Sequence, residues 1–169
     1  PTDAERIDAT GKIVTPGIFD PQSQFGVVEV GAVSETRDAS AGKSRFSAAF
    51  DVADAINPRS VLIPVNRIAG VTRAMVSPTN GDNHIIAGRG AIIDLGSTAG
   101  FIHRDPAAMF ATLGESGAKQ AGGSRAAALL ALREALQDAR DYAANTKAYA
   151  SNQRRSYTLT RLDLEALGP

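Results

Sequence analysis

Two glutamines, Gln22 and Gln24, stand two residues apart at the end of an apolar segment that closes on Asp20-Pro21. Residues i and i+2 of a strand share one face, so both amides are expected to point to the same side. Such a pair can hydrogen-bond a substrate, and Gln22 and Gln24 are taken as substrate-binding candidates. A neutral amide oxygen is a weak donor, however, and cannot replace imidazole at a borderline-soft ion such as zinc. The only histidines, His84 and His103, are separated by a loop, a strand and another loop, and neither has a ligating partner at strand or helix spacing. His84 follows Asn80-Gly81-Asp82-Asn83, past the end of an expected strand, and is a candidate catalytic residue; a hydrogen-bonding histidine is the plainer reading. Glu29, Glu35 and Asp38 form an acidic loop in which Glu29 is a second catalytic candidate, with a solvated loop as the ordinary alternative. Gly88-Arg89-Gly90 lacks the third glycine of G-x-G-x-x-G and the Gly-Lys-Ser/Thr of a P-loop. Its glycines read as turn residues, and Arg89 as a third substrate-binding candidate. Ser77 and Ser97 lie in no G-x-S-x-G elbow, and Arg154-Arg155 is too short for a basic patch. With no cysteine, the chain has no thiolate nucleophile, thiolate metal site or disulfide.

The elements that must position these residues fall into three zones. From Ile7 to about Val33 the pattern is strand-like: Arg6-Ile7-Asp8 as a short strand, Gly11-Lys12 as a turn, Ile13 to Asp20 as a strand interrupted by Pro16-Gly17, and Val27 to Val30 as a β-branched stretch. Ser34 to Asn57 is polar and weakly periodic, an excursion rather than a core element. The second zone predicts a helix over Pro58 to Ala69, capped by Asn57 and ended by Gly70, with Val61, Leu62, Val65 and Ile68 on one face. Pro64 is the objection to that helix. Strands over Thr72 to Ser77 and Ala91 to Leu95 follow, and the alternation predicts α/β architecture with buried parallel strands. In the third zone Pro106 to Leu113 reads as a short helix capped by Asp105, and 114–123 as a loop. Ser124 to about Tyr149 is a long helix with a core stripe of Leu129, Leu132, Leu136, Ala139 and Ala143. Thr160-Arg161-Leu162-Asp163 has the form of a capping box with Asp in place of Glu, and Gly168-Pro169 supplies the stop.

The run Ile7-Asp8-Ala9-Thr10-Gly11-Lys12-Ile13-Val14-Thr15-Pro16-Gly17-Ile18-Phe19-Asp20 resembles the start of the barrel in the amidohydrolase superfamily. There an I-D-A-x-G-K-x-V-x-P-G-x-x-D pattern carries the chain from a small β-sandwich into strand 1 of a (β/α)8 barrel. Asn66-Arg67-Ile68-Ala69-Gly70-Val71-Thr72 is similar to the helix that leads into strand 2, and within the superfamily the chain resembles the imidazolonepropionase-like amidohydrolases. The resemblance implies an α/β fold, the N-terminal portion of a TIM barrel, incomplete in this chain because a whole barrel needs about 250 residues. Residues 1–15 would be the end of the β-sandwich domain with the strand that enters the barrel, and residues 16–169 the first β/α units. Directly after the shared pattern the superfamily places H-x-H, two metal ligands; Gln22 and Gln24 stand at those positions here, so the resemblance implies an altered metal site. No cofactor is evident in this chain, and a divalent metal such as zinc would be held by residues later in the parent: His on strands 5 and 6, Asp on strand 8, a bridging Lys on strand 4.

Two functions remain open on this reading. One is hydrolysis of a C–N bond in a cyclic amide or peptide-like substrate. The other is a catalytically degenerate barrel that binds a ligand or partner; the double Gln favours the second, the intact surroundings of strand 1 the first. The implied partners are the remainder of the barrel, in the same parent chain or a second one, and a small-molecule substrate; a homo-oligomer is compatible with either. Composition narrows the field further. The chain has 169 residues, 43% hydrophobic and 21% charged, enough for a packed core. Eighteen basic residues balance eighteen acidic ones, which argues against a nucleic-acid binder. No apolar run approaches the roughly 20 residues of a transmembrane helix. The start, Pro1-Thr2-Asp3-Ala4-Glu5-Arg6, is no signal peptide and reads as the beginning of an excised piece. The look of the subgroup alone points to a bacterial exported protein.

Overall fold

The computed structural model describes residues 4–96, 100–153 and 156–168. Ser97, Arg154-Arg155, the first three residues and the Pro169 stop lie outside the described residues. Four strands, β1 (Ile18–Ser23), β2 (Val71–Val76), β3 (Ile86–Asp94) and β4 (Ile102–Ala111), form a sheet in that order. β1 and β2 are parallel, whereas β2–β3 and β3–β4 are antiparallel. The expected run of parallel strands therefore holds for the first pair only. Parallel neighbours need a crossover of about a dozen residues or more; the long 24–70 connection supplies one, and the short 77–85 and 95–101 connections cannot.

The segment before β1 is not the expected strand at Arg6–Asp8, but the turn is there: Gly11 has a φ of +73° and Lys12 N–H donates to Ala9 O at 2.9 Å. β1 begins after Pro16-Gly17, not before it. A Cβ on Gly17 would lie 2.2 Å from the Thr72 side chain, so this glycine lets the chain enter the sheet against β2. Of Val27 to Val30, Val28 alone pairs, through one antiparallel bridge to Arg37. The 34–57 excursion is not peripheral. It makes two 3-10 turns, Ser34–Thr36 and Val52–Ala55, and buries Ala39, Ala48 and Val52. Val52 joins Ile63, Ala74, Val76, Ala91, Ile93 and Leu95 in the main core, so a polar-looking segment reaches the sheet through a few small apolar residues.

The first helix, α1 (Leu62–Ile68), starts later than the sequence predicts. Asn57 caps a turn instead, its Oδ1 accepting from Arg59 N–H at 3.0 Å. The delay removes the objection at Pro64, which falls in the first helical turn, where an N–H has no intrahelical partner to lose. Gly70 ends the helix as expected, at a φ of +95°. The buried residue is Ile63, while Val61, Val65 and Ile68 are exposed, so the predicted face is not the packed one.

The largest correction concerns the helix expected over Pro106 to Leu113: Pro106 to Ala111 is strand, and β4 pairs with β3 through Ala108↔Gly90, Met109↔Arg89 and Phe110↔Gly88. Pro106 is tolerated because β4 is an edge strand and the pairing is irregular between Ala108 and Arg104. The expected 114–123 loop contains a short helix, α2 (Gly114–Gln120). The long helix is present as α3 (Arg125–Ala144), capped by Ser124 Oγ, followed by α4 (Thr146–Ala150). Its buried face is Ala128, Ala135, Asp138, Ala139 and Tyr142, while Leu129 and Leu136 are exposed. Alanines face inward because the neighbours come close: Ala128 and Ala135 pack against Ala48, Ile85 and Ile86. The final helix, α5 (Arg161–Leu167), carries the predicted capping box between Thr160 and Asp163.

Candidate functional site

Gln22 and Gln24 lie at the C-terminal end of β1. Gln22 is exposed, and its N–H donates to Asp20 Oδ1 at 3.1 Å; Gln24 is half-buried, and its carbonyl accepts from Val27 and Val28 at 3.2 and 3.1 Å. Between them Ser23 is buried, its hydroxyl donating to Met75 O at 3.1 Å and its carbonyl accepting from Ser77 N–H at 3.0 Å. Those bonds tie the ends of β1 and β2 together. Neither glutamine side chain has a hydrogen bond among the described residues. As a donor pair the amides do not fit a zinc ion. Among the described residues no three His, Cys, Asp or Glu groups come together as a metal site.

Glu29, beyond β1, is half-buried and accepts from Asn57 Nδ2 at 3.4 Å, close to where Asn57 N–H meets Gly26 O at 2.9 Å. Glu35 and Asp38 are exposed; hydrogen bonds from its own backbone and from Ser34 hold the Glu35 carboxyl below its ordinary range. His84 stands elsewhere, between β2 and β3. Its Nε2–H donates to Ser44 O at 3.1 Å, and its carbonyl accepts from Asn80 Nδ2 at 2.8 Å. It borders a cavity against α3 rather than the end of β1. His103 is exposed on β4.

Arg89 lies inside β3 and not in a turn. Gly88 and Gly90 flank it because a Cβ would strike Phe50 O at 2.4 Å and Val76 O at 2.7 Å. The excursion therefore runs directly along β3, with Arg89 N–H donating to Phe50 O at 2.7 Å. Arg89 Nη2 pairs with Asp51 Oδ2 at 3.0 Å, where the Asp51 side chain is 6% exposed and that of Arg89 32%. Asp51 Oδ1 also caps the 3-10 turn, accepting from Ala53 N–H at 3.0 Å. Asp105, on β4, completes the group. Its carboxyl is held above the ordinary carboxylate range by loss of hydration first, then by the charge of Asp51 and the hydrogen bond the two acids share, with Arg89 pulling the other way. Two carboxyls beside one guanidinium can keep a proton at a pH where an isolated carboxylate has lost it. The candidate residues thus divide among three places: Gln22, Gln24 and Glu29 around the end of β1, Arg89 within the acidic group on β3, and His84 beneath α3.

Asp51, Asp105 and Asp163 were not singled out for this role by sequence reading. Asp51 had one local signal, an Asp two residues before an amide it could cap; Asp105 was read as the cap of a helix, and lies instead within β4. Asp163 was legible as a cap but does more. It is buried, and its Oδ1 accepts from Ser47 N–H at 2.9 Å and Ala49 N–H at 2.8 Å, fastening the excursion to α5.

With this geometry in place, the backbone matches the crystal structure of an amidohydrolase from Thermotoga maritima MSB8 with a TM-score of 0.76 and 26% sequence identity. The chain is similar to an amidohydrolase. The match covers 99% of this chain and 45% of that one, so the chain spans less than half the length of the similar protein. No family model matches the chain, and no curated protein matches it by sequence.

Proposed function

We propose that this chain is the N-terminal part of an amidohydrolase-like hydrolase acting on the C–N bond of a cyclic amide or peptide-like substrate, with an altered metal site at Gln22 and Gln24. The single observation that carries the reading is the backbone likeness, at 26% identity, to an amidohydrolase along 99% of the chain. The parallel β1–β2 pair crossed over by α1 agrees with one β/α unit of a barrel. On this reading residues 1–15 end a β-sandwich domain and enter the barrel, residues 16–169 form its first units with an antiparallel β3–β4 elaboration, and the relation is to the imidazolonepropionase-like members. The end of β1 faces the substrate. A glutamine amide offers both a donor and an acceptor, the complement of a substrate amide, so Gln22 and Gln24 orient the scissile group instead of binding an ion. Any catalytic divalent metal is held by residues outside this chain.

The second reading, a barrel that binds without hydrolysing, is favoured by the amide pair itself, since water keeps close to its bulk pKa where no metal lowers it. The two are separated by incubating the full-length protein with cyclic amides, hydantoins and dipeptides and following ring opening or amine release. Turnover that is lost on substitution of Gln22 and Gln24 supports the hydrolase; saturable binding of the same compounds without turnover supports the binding protein.

A further inference from the structure

The connection between β2 and β3 carries Asn80-Gly81, the one place in the chain where a glycine follows an asparagine. That dipeptide has a chemistry of its own. The backbone nitrogen of the glycine attacks Cγ of the asparagine, the side-chain nitrogen leaves as ammonia, and a five-membered succinimide forms. Water then opens the ring at either carbonyl, giving aspartate or isoaspartate. Glycine favours the attack because no Cβ shields its nitrogen and its backbone is free to adopt the turn. Ring closure requires the asparagine amide to rotate and Cγ to approach the next backbone nitrogen.

The fold opposes both movements. The Asn80 amide is held at its two ends: Nδ2–H donates to His84 O at 2.8 Å, and Oδ1 accepts from Thr112 Oγ just past the end of β4. Gly81 is buried, and a Cβ there would lie 2.6 Å from Gly42 O. The residues on either side of the pair are tied to the excursion as well, Thr79 N–H donating to Ala39 O at 2.7 Å and Asp82 N–H to Gly42 O at 2.8 Å. The amide and the nitrogen that would attack it are thus fixed by different partners.

We propose that Asn80 is a deamidation site gated by this loop, unreactive while these bonds hold and converted to aspartate or isoaspartate when they open. The conversion runs one way. A carboxylate at position 80 has no N–H to give His84 O and sets one acceptor against another, while an isoaspartyl link lengthens the main chain by a carbon. Either product leaves the loop easier to open than before. The inference does not rest on the hydrolase reading.

The test is peptide mapping by mass spectrometry of the full-length protein, incubated in mildly alkaline buffer natively and, in parallel, unfolded in guanidinium chloride. In the unfolded protein Asn80 is expected to react ahead of the other asparagines of this chain. In the native protein it is expected to react about 20-fold more slowly or less, since each of the two amide bonds is worth roughly fivefold. Thr112→Val removes the donor to Oδ1 and is expected to raise the native rate roughly fivefold with the unfolded rate unchanged; Thr112→Ser, which keeps the hydroxyl, is expected to restore the slow rate. Asn80→Asp, a mimic of the product, is expected to melt below wild type. Thermal melts identify a Thr112→Val protein that has failed to fold, and the ratio of native to unfolded rates in the wild type then decides alone. Equal rates in the native and unfolded wild type, an unaltered native rate in folded Thr112→Val, or an Asn80→Asp protein as stable as wild type would each overturn the proposal.

Discussion

Replacing Asp163 by alanine removes the fastening between the 34–57 excursion and α5. Its carboxylate accepts four hydrogen bonds: from Ser47 N–H at 2.9 Å, Ala49 N–H at 2.8 Å, Thr160 N–H at 3.3 Å and Thr160 Oγ at 2.6 Å. Alanine orphans two excursion amides at a site where Asp163 has no exposed surface. An orphaned buried donor costs about 1–3 kcal/mol, and loss of the capping-box carboxylate adds about 1 kcal/mol. Because Ala49 is only half-buried, water recovers part of its amide, and the lower end of the range applies: about 3 kcal/mol in all. That is a large share of the ~5–15 kcal/mol that holds a typical domain together. The variant Asp163→Asn keeps the shape but turns an NH2 group toward a donor, so it should fall between alanine and wild type. Urea midpoints of the full-length protein measure the total loss. Amide hydrogen exchange at Ser47 and Ala49 measures it locally and should accelerate by about two orders of magnitude for about 3 kcal/mol of local opening. Unchanged exchange at both amides in Asp163→Ala would refute the assignment of these bonds as the anchor.

Two further outcomes follow from the acidic group on β3. Gly88→Ala should destabilise the protein by roughly 2 kcal/mol or more, since the site has a φ of +122° and the new Cβ would meet Phe50 O at 2.4 Å; thermal melts check it, and a neutral effect would contradict the close approach of excursion and strand. Asp105 holds its proton above the ordinary carboxylate range in the folded protein, so between the ordinary and the raised value the native state binds more protons than the unfolded one. Stability should therefore fall as pH rises through that window and stay lower above it. Asp105→Asn, neutral at every pH, should flatten this fall and be the more stable form above the window; identical profiles of stability against pH would exclude a shared proton.

What was legible in the sequence was what depends on local chemistry. The turn at Gly11, the stop at Gly70, β2 and the Thr160 capping box rest on glycine conformation, β-branched residues and side-chain caps acting within a few residues. What was missed depends on partners far along the chain. Ala107 to Ala111 favours a helix by composition, but pairing with β3 makes it a strand. Leu129 and Leu136 outrank alanine in apolarity, yet it is Ala128 and Ala135 that face inward and pack against Ala48, Ile85 and Ile86. Gly88 and Gly90 read as turn residues because nothing in their neighbours reveals that Phe50 and Val76 press against them. The candidate site divides in the same way: Gln22, Gln24 and Arg89 were visible by type and spacing, while Asp51 and Asp105 meet only after the excursion and the hairpin fold onto β3.

The most direct test of the altered metal site is the metal content of the purified full-length protein, measured by inductively coupled plasma mass spectrometry for wild type, Gln22→Ala and Gln24→Ala. Amides at the end of β1 that orient substrate rather than bind an ion predict the same metal content in all three proteins. Stoichiometric zinc in the wild type that disappears in both variants would make Gln22 and Gln24 true ligands and contradict the account.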